Sequence, residues 1–178
     1  MRPPKGRTWG RRGHTPVMRV AGGDAGRVNI AGLLCYRPGD RSRLIYRVHI
    51  YHRRKHEQNS FTEADYIQLL DDAHQQLHAP LVLIWDNLNR HTDTRIQPYL
   101  ARRDWLTVIQ LPAYAPDLNP VEGVWSVLKR GLGNLLVRHI DQLDLIIRTR
   151  LRAMQHRTDN LLDGFLAETG LTLDSVTP

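Results

Sequence analysis

A five-residue apolar run constrains the fold of this 178-residue chain more than any other feature of its sequence. The run, Leu81–Trp85, is bounded by Pro80 and Asp86, which is typical of a strand buried on both faces of a sheet. The patterns that follow predict a helix, a strand and two further helices, over residues 92–103, 107–111, 120–136 and 140–154. Because strands alternate with helices, the sequence predicts an α/β fold with parallel strands joined by right-handed crossovers.

The earlier part of the chain favours antiparallel pairing instead. Two strand-like segments, 27–36 and 43–51, flank the turn-forming pair Pro38 and Gly39, which predicts a hairpin. Alternation in the second segment predicts one strongly buried face and one more basic face. Thr62, followed three residues later by Asp65, predicts the start of a helix whose apolar positions recur with a period of 3.6 residues.

The net charge of +7 is concentrated in the first third of the chain. Up to His56 the sequence has fourteen Lys and Arg residues but only two acidic ones, Asp24 and Asp40. Such an asymmetry favours a polyanionic partner such as DNA, with a merely soluble basic surface as the alternative on charge alone. The basic residues that we expect to contact DNA phosphates are Arg7, Arg11, Arg12, Arg53, Arg54, Lys55, Lys129 and Arg130.

Composition excludes several other classes of protein. A single cysteine, Cys35, excludes an intrachain disulfide and a multi-cysteine zinc site. No apolar stretch approaches the roughly 18 to 20 residues of a membrane-spanning helix, and no signal peptide follows Met1. We therefore expect no membrane partner and a cytoplasmic location, associated with the nucleoid if DNA is the partner.

Two carboxylates lie where such a fold could place chemistry. Asp86 follows the apolar strand, and ligand sites form at the carboxyl ends of strands in open α/β sheets, although capping of the next turn is an alternative. Glu122 follows Asn119 and Pro120 at the start of a predicted helix, so helix capping by Asn119 would by itself explain this segment. If the two carboxylates converge, their hard oxygen ligands would suit Mg²⁺ or Mn²⁺, as in two-metal phosphoryl transfer.

Longer motifs surround both carboxylates. The segment LIWDNLNRH at 83–91 is followed by LPAYAPDLNPVEGVWSVLKR at 111–130, with thirty-five residues between Asp86 and Glu122. Together with the earlier segments PPKGRTWGRRGHTPV and GRVNIAGLLCYRPG, these motifs closely resemble the DDE transposases of bacterial insertion sequences in the mariner-like superfamily. The resemblance covers nearly the whole chain.

The resemblance implies an RNase H-like fold with a mixed sheet and flanking helices. It also implies Mg²⁺ ions and a reaction in which DNA strands are cleaved and then transferred. Asp86 matches the second catalytic carboxylate and Glu122 the third, so both would hold the metal. The positions whose implied roles are supporting, in orienting the strand end, shaping the loop and packing the last helix, are Asn87, His91, Tyr114, Asn119 and Trp125.

The chain departs from the family near its amino end. The family carries its first catalytic Asp on an initial strand ahead of the PPKGRTW-like segment, and neither Asp24 nor Asp40 is a credible substitute. We therefore expect the first strand of the sheet to be missing. The expected organisation is a catalytic domain over 1–157, incomplete at its amino end, followed by a C-terminal tail over 158–178.

This departure leaves more than one function open. The first hypothesis is a transposase catalytic domain that acts on transposon-end and target DNA, as a dimer or together with an upstream transposase fragment, and is inactive alone. The alternative is a non-catalytic DNA-binding or regulatory remnant of a transposase. A decayed reading frame without a folded product is the third.

Overall fold

The computed structural model describes residues 11–14, 26–86, 96–112, 115–133, 135, 137, 139–157 and 161–173. Its strands and helices, in chain order, are β1 (Arg27–Cys35), β2 (Arg43–Tyr51), α1 (Glu63–Leu77), β3 (Leu81–Trp85), α2 (Gln97–Leu100), β4 (Leu106–Gln110), α3 (Val121–Leu132), α4 (Ile140–His156) and α5 (Leu161–Glu168). The predicted α/β class, with helices flanking the strands, is confirmed. Within this described part, no helix is both long and apolar enough to cross a membrane.

The hairpin predicted in the first half of the chain is confirmed. β1 and β2 pair antiparallel, from Arg27 opposite Tyr51 to Cys35 opposite Arg43. In the connecting turn Gly39 has a φ of 75°, in the left-handed region where a side chain is disfavoured. The sequence places a glycine where the turn geometry requires one.

Both faces of this hairpin are covered by helices. Leu44 of β2 is fully buried in a cluster built mainly by α3, α4 and α5. On the opposite face Ile45 packs with Leu69 of α1, and Arg47 forms a 3.0 Å ion pair with Asp72 of the same helix. The face that the sequence predicts as the more basic one is therefore partly buried as well, because α1 supplies both apolar contacts and an acidic partner.

α1 begins where Thr62 and Asp65 predict. The backbone N–H and the hydroxyl of Thr62 both donate to Asp65 Oδ2 at 2.7 Å, which satisfies polar groups at the helix start. The helix ends at His78, whose φ of 50° is left-handed and whose N–H donates to the His74 carbonyl at 2.9 Å. The predicted periodicity is confirmed, since Leu69, Leu70 and Ala73 are buried on one side of the helix.

A second, parallel pair of strands follows. β3 and β4 run parallel from Leu81 opposite Leu106 to Trp85 opposite Gln110, so β4 starts and ends one residue earlier than predicted. One side of the pair packs against α1 and α2 through a cluster that includes Leu70, Trp85 and Leu106. The parallel arrangement expected from the alternation of strands and helices is confirmed.

The expectation that β3 is buried on both faces is wrong. Val82 and Ile84 are 64% and 47% exposed, and Ile109, opposite Ile84 on β4, is 51% exposed. The physical reason is the placement of α3 and α4, which pack on the hairpin. In the described ranges the parallel pair is thus covered on one side, and its other side carries an exposed apolar strip.

Three helices differ from their predicted extents: α2 and α3 are shorter, and α4 ends at His156, two residues later than predicted. Of the segment 92–103, residues 92–95 lie outside the described residues. α2 ends at Leu100, where two turns take over before β4, closed by hydrogen bonds from the Arg102 N–H to the Tyr99 carbonyl and from the Arg103 N–H to the Leu100 carbonyl. α3 stops at Leu132, because Gly133 leaves the helical conformation with a ψ of 139°. α5 has no counterpart in the prediction, yet its Leu162 and Phe165 belong to the main core.

The two strand pairs share α1 as a common layer. Among the described strands, β1 pairs with β2 and β3 with β4, and no ladder joins the pairs. Leu33 of β1 and Leu81 of β3 each pack against both of the apolar clusters to which α1 contributes. The hairpin and the parallel pair are therefore connected through side chains of one helix.

Candidate functional site

Asp86 lies directly after the last residue of β3. The Trp85 carbonyl accepts the N–H of Leu111 at 2.8 Å, so the ladder between β3 and β4 closes at this end. Asp86 is half-buried at the edge where both parallel strands terminate. This is the edge at which ligand sites form in α/β sheets, as the sequence predicts for this residue.

Asn119 sets the start of the helix that carries Glu122. Asn119 is extended (φ −105°, ψ 100°) and Pro120 already helical (φ −62°, ψ −20°). The Asn119 side-chain oxygen accepts the N–H of Val121 at 3.2 Å, and its backbone carbonyl accepts that of Glu122 at 3.0 Å. The predicted capping by Asn119 is confirmed, and it fixes Glu122 in the exposed first turn of α3, where the helix N-terminus favours a carboxylate.

Trp125, one turn further along α3, lies against β1. A Cβ placed on Gly32 of β1 would meet the Trp125 ring at 3.0 Å, so the missing side chain at Gly32 makes room for the indole. The ring also lines a cleft of about 260 Å³ between β1 and the start of α1. Trp125 therefore sets the position of α3, and of Glu122 with it, relative to the hairpin.

The predicted catalytic and supporting residues belong to two parts of the fold or lie outside the described residues. Asn119, Glu122 and Trp125 share the start of α3, whereas Asp86 belongs to the parallel pair. The predicted positions outside the described residues are Asn87, His91, Tyr114 and Arg7. In the described ranges, no three His, Cys, Asp or Glu side chains form a group suited to a metal. The predicted metal ligands are the carboxylates of Asp86 and Glu122, and carboxylate oxygens are the ligand type that a hard divalent cation prefers.

The predicted phosphate contacts that the structure describes lie on three surfaces. Arg11 and Arg12 are exposed in a turn closed by a 2.9 Å bond from the His14 N–H to the Arg11 carbonyl. Lys129 and Arg130 lie in the last turn of α3, about two helical turns beyond Glu122. The third surface, the exposed loop between β2 and α1, carries Arg53, Arg54 and Lys55.

Glu57 organises this third surface, and the sequence analysis did not identify it. Its Oε2 accepts the backbone N–H groups of His52 at 2.8 Å and of Arg54 at 2.9 Å. Hydrogen bonds from the His52 backbone first, and then from Arg54 and the His52 ring, lower the pKa of Glu57 to about 2. Arg53 and His56 have φ values of 63° and 65°, left-handed conformations that the loop imposes on residues with side chains.

His52 connects this loop to α4. Its Nδ1 lies 3.1 Å from Glu57 Oε1, and its Nε2 lies 2.9 Å from Asp141 Oδ1 in the first turn of α4. The hydrogen bond to Asp141, and then that to Glu57, raise the pKa of His52 above its ordinary value. The sequence gives no direct signal for this contact, because eighty-nine positions separate His52 from Asp141.

The surroundings of two other side chains of reactive types, Cys35 and His74, indicate structural roles. Burial raises the pKa of the Cys35 thiol to about 11, which keeps it protonated and of low reactivity at neutral pH. His74 stacks on Trp105 with ring centroids 4.0 Å apart, and its Nδ1 lies 3.0 Å from the Ala79 carbonyl oxygen. His74 thus joins the end of α1 to the segment before β4.

Comparison with known proteins gives consistent results. A model of the DDE superfamily endonuclease family matches residues 1–144. The transposable element Tc1 transposase of Caenorhabditis elegans is 32% identical over 69 residues, which are 39% of this chain and 25% of that protein. The match thus spans a quarter of the length of this curated relative.

Solved structures show a similar fold. The crystal structure of the mariner Mos1 paired end complex with Mg aligns with a TM-score of 0.55 at 14% identity, over 97% of this chain and 53% of that chain. The catalytic domain of Mos1 mariner transposase aligns with a TM-score of 0.44 at 14% identity, over 83% of each chain. The expected RNase H-like fold is confirmed.

Proposed function

Because the chain belongs to the DDE superfamily endonuclease family, we propose that it is the catalytic domain of a DNA transposase. The proposed reaction is metal-dependent cleavage of DNA strands followed by strand transfer. The observation that carries this proposal is the placement of two carboxylates at element ends: Asp86 directly after β3, and Glu122 in the first turn of α3. Both positions leave a carboxylate at the border of the core with access to solvent.

Asp86 and Glu122 are the residues that would hold Mg²⁺ or Mn²⁺. When bound, such a cation would neutralise charge on a phosphodiester and lower the pKa of an attacking water. The chain's own part is to bind and orient the DNA. Lys129 and Arg130 share the helix of Glu122 and would hold flanking phosphates, while Asn119 and Trp125 fix that helix.

We propose that these 178 residues alone do not cleave DNA. A third carboxylate is needed, and Asp40 is a poor candidate because it lies exposed in the hairpin turn, where it accepts the N–H of Arg41 at 2.8 Å. An upstream transposase fragment would supply the missing carboxylate and strand. The separate ladders of the described strand pairs support this proposal, since a further strand could pair with β1 or β3.

The test measures metal binding and cleavage separately. In a Mn²⁺ titration followed by electron paramagnetic resonance, Asp86→Asn and Glu122→Gln should each weaken binding about tenfold, which corresponds to about 1.4 kcal/mol. Asp117→Asn, which removes an exposed acid from the turn before α3, is the matched control and should bind Mn²⁺ normally. Equal affinities in all variants would refute the carboxylate site.

Cleavage is then assayed on supercoiled plasmid with Mg²⁺. The chain alone should leave the plasmid intact. Nicking that disappears in Asp86→Asn would refute the proposed inactivity while supporting the site.

A second candidate function is DNA binding without catalysis. The observation that favours it is the basic loop at Arg53, Arg54 and Lys55, whose conformation depends on Glu57 and on neither proposed metal ligand. Under this alternative, DNA affinity would be the same in Asp86→Asn and after removal of divalent cations. A loss of affinity in either case would exclude it.

A further inference from the structure

The loop between β2 and α1 is built around one carboxylate that points inward from a basic surface. Glu57 receives two backbone N–H groups through Oε2 and the His52 ring through Oε1. The side chains of Arg53, Arg54, Lys55 and His56 are exposed around it. A loop of like charges would otherwise repel itself and extend, so the half-buried carboxylate of Glu57 supplies the compensating charge.

The same loop is anchored to a distant helix through a single imidazole. His52 has a carboxylate oxygen within 3.1 Å of each ring nitrogen, Glu57 on one side and Asp141 on the other. A neutral imidazole can donate from only one nitrogen, whereas the imidazolium donates from both. The arrangement therefore favours the charged ring, which bridges the loop to the first turn of α4.

We infer that His52, Glu57 and Asp141 form a clamp that holds the basic loop in the conformation in which it contacts DNA phosphates. The inference rests on the proposed function, because DNA is the partner in both. It adds positioning residues that touch no phosphate themselves. Without the clamp the competent conformation would be one of several, and the apparent affinity would fall in proportion to its population.

The hydrogen bonds of the clamp depend on pH. The charged groups that face His52 are Glu57 from its own loop and Asp141 from α4, while Arg27 of the neighbouring strand lies over the Tyr51 ring at 5.7 Å. Because the pKa of His52 is raised in the folded state, the bridge is present below that pKa and is lost as pH rises through it. Because the pKa of Glu57 is lowered to about 2, its contribution is lost only in strong acid.

The test compares two acids of the same helix. Asp141→Asn removes the negative charge beside His52 Nε2 and keeps an oxygen that can accept a hydrogen bond. Asp144→Asn removes an equal charge three residues on, where the carboxylate pairs with Arg148 at 2.8 Å. His52 titration is followed by NMR, and the affinity for a labelled duplex of random sequence is measured across the same pH range.

The expected results are specific to one variant. Asp141→Asn should move the midpoint of His52 titration, and of the pH-dependent fall in DNA affinity, to lower pH, and Asp144→Asn should move neither. Glu57→Gln should raise the Kd about threefold to tenfold and speed hydrogen exchange at the Arg54 N–H. If the unmodified chain binds DNA and the affinity changes alike in Asp141→Asn, Asp144→Asn and Glu57→Gln, the clamp is overturned but the proposed DNA contact is not. Absence of DNA binding by the unmodified chain would overturn the proposed DNA contact as well.

Discussion

At the scale of single residues, glycines determine how closely the helices approach. Gly32 leaves space for the Trp125 ring, and Gly123 of α3 faces the buried ring of Phe165, which a Cβ at position 123 would overlap. Gly164 of α5, in contrast, has open space around its Cα. Sequence patterns treat all three as weak helix or strand formers, so only the packing distinguishes them.

This difference gives a paired prediction. Gly123→Ala should destabilise the protein by about 1–3 kcal/mol, because Phe165 is held in the core and has little room to move. Gly164→Ala should be neutral or stabilise it by up to about 1 kcal/mol through helix propensity. Urea unfolding followed by circular dichroism measures both changes, and equal effects would contradict the packing argument.

Local chemistry explains which single residues the sequence reveals. The sequence reveals residues whose effect is confined to a few neighbouring positions. These are the helix-start pairs Thr62 with Asp65 and Asn119 with Pro120, and Gly39 in the hairpin turn. Asp141 is not recognisable, since its role depends on a contact with His52, eighty-nine positions away. The contacts of Glu57 are local, but they belong to none of the capping or turn motifs that the sequence reveals. The positions of Asp86 and Glu122 follow from element ends, whereas their convergence depends on tertiary packing and stays a prediction.

At the scale of elements, the parallel pair is more amphipathic than its sequence indicates. A run such as Leu81–Trp85 carries no polar alternation, so the pattern alone predicts burial on both sides. The structure buries Trp85 and exposes Val82 and Ile84, because the covering helix lies on one side in the described ranges. Element type and order were predictable here, but not which layer covers each face.

The exposed strip predicts unequal sensitivity to substitution. Ile84→Thr should change the free energy of unfolding by no more than about 0.5 kcal/mol, since its side chain is half exposed and threonine keeps the β-branch. Leu106→Ala, on the buried side of the same pair, should cost about 2–5 kcal/mol. Thermal melts of the two variants measure the difference, and a large loss in Ile84→Thr would mean that this side is covered in solution.

At the scale of the whole molecule, the uneven charge along the chain favours the proposed association with DNA. Most of the basic excess precedes Glu57, and the loop at 53–55 presents part of it to solvent. Both the family resemblance and the charge pattern can be recognised from the sequence alone. Together they made DNA the expected partner. The role of Glu57 in organising the basic loop, in contrast, could not be predicted from the sequence.

Salt dependence checks this assignment. Each phosphate contact on duplex DNA contributes about −0.9 to the slope of log K against log salt concentration. Arg54→Ala should therefore reduce the magnitude of the slope by about 0.9, the contribution of one phosphate contact. Arg152 is an exposed arginine of α4 outside the set predicted to contact DNA, so Arg152→Ala should leave the slope unchanged. Equal slopes for both variants, measured by fluorescence anisotropy, would exclude the loop from the interface.

The position of α1 between the strand pairs also predicts an order of assembly. Leu69 and Leu70 are adjacent in α1. Leu69 packs in the cluster that contacts the hairpin, whereas Leu70 packs in the cluster that contacts the parallel strands. A hairpin closes within roughly microseconds because its contacts are local, whereas parallel strands joined by a long crossover must wait for a surface on which to meet. We therefore expect the parallel pair to form only after α1 has packed against the hairpin and offers it that surface.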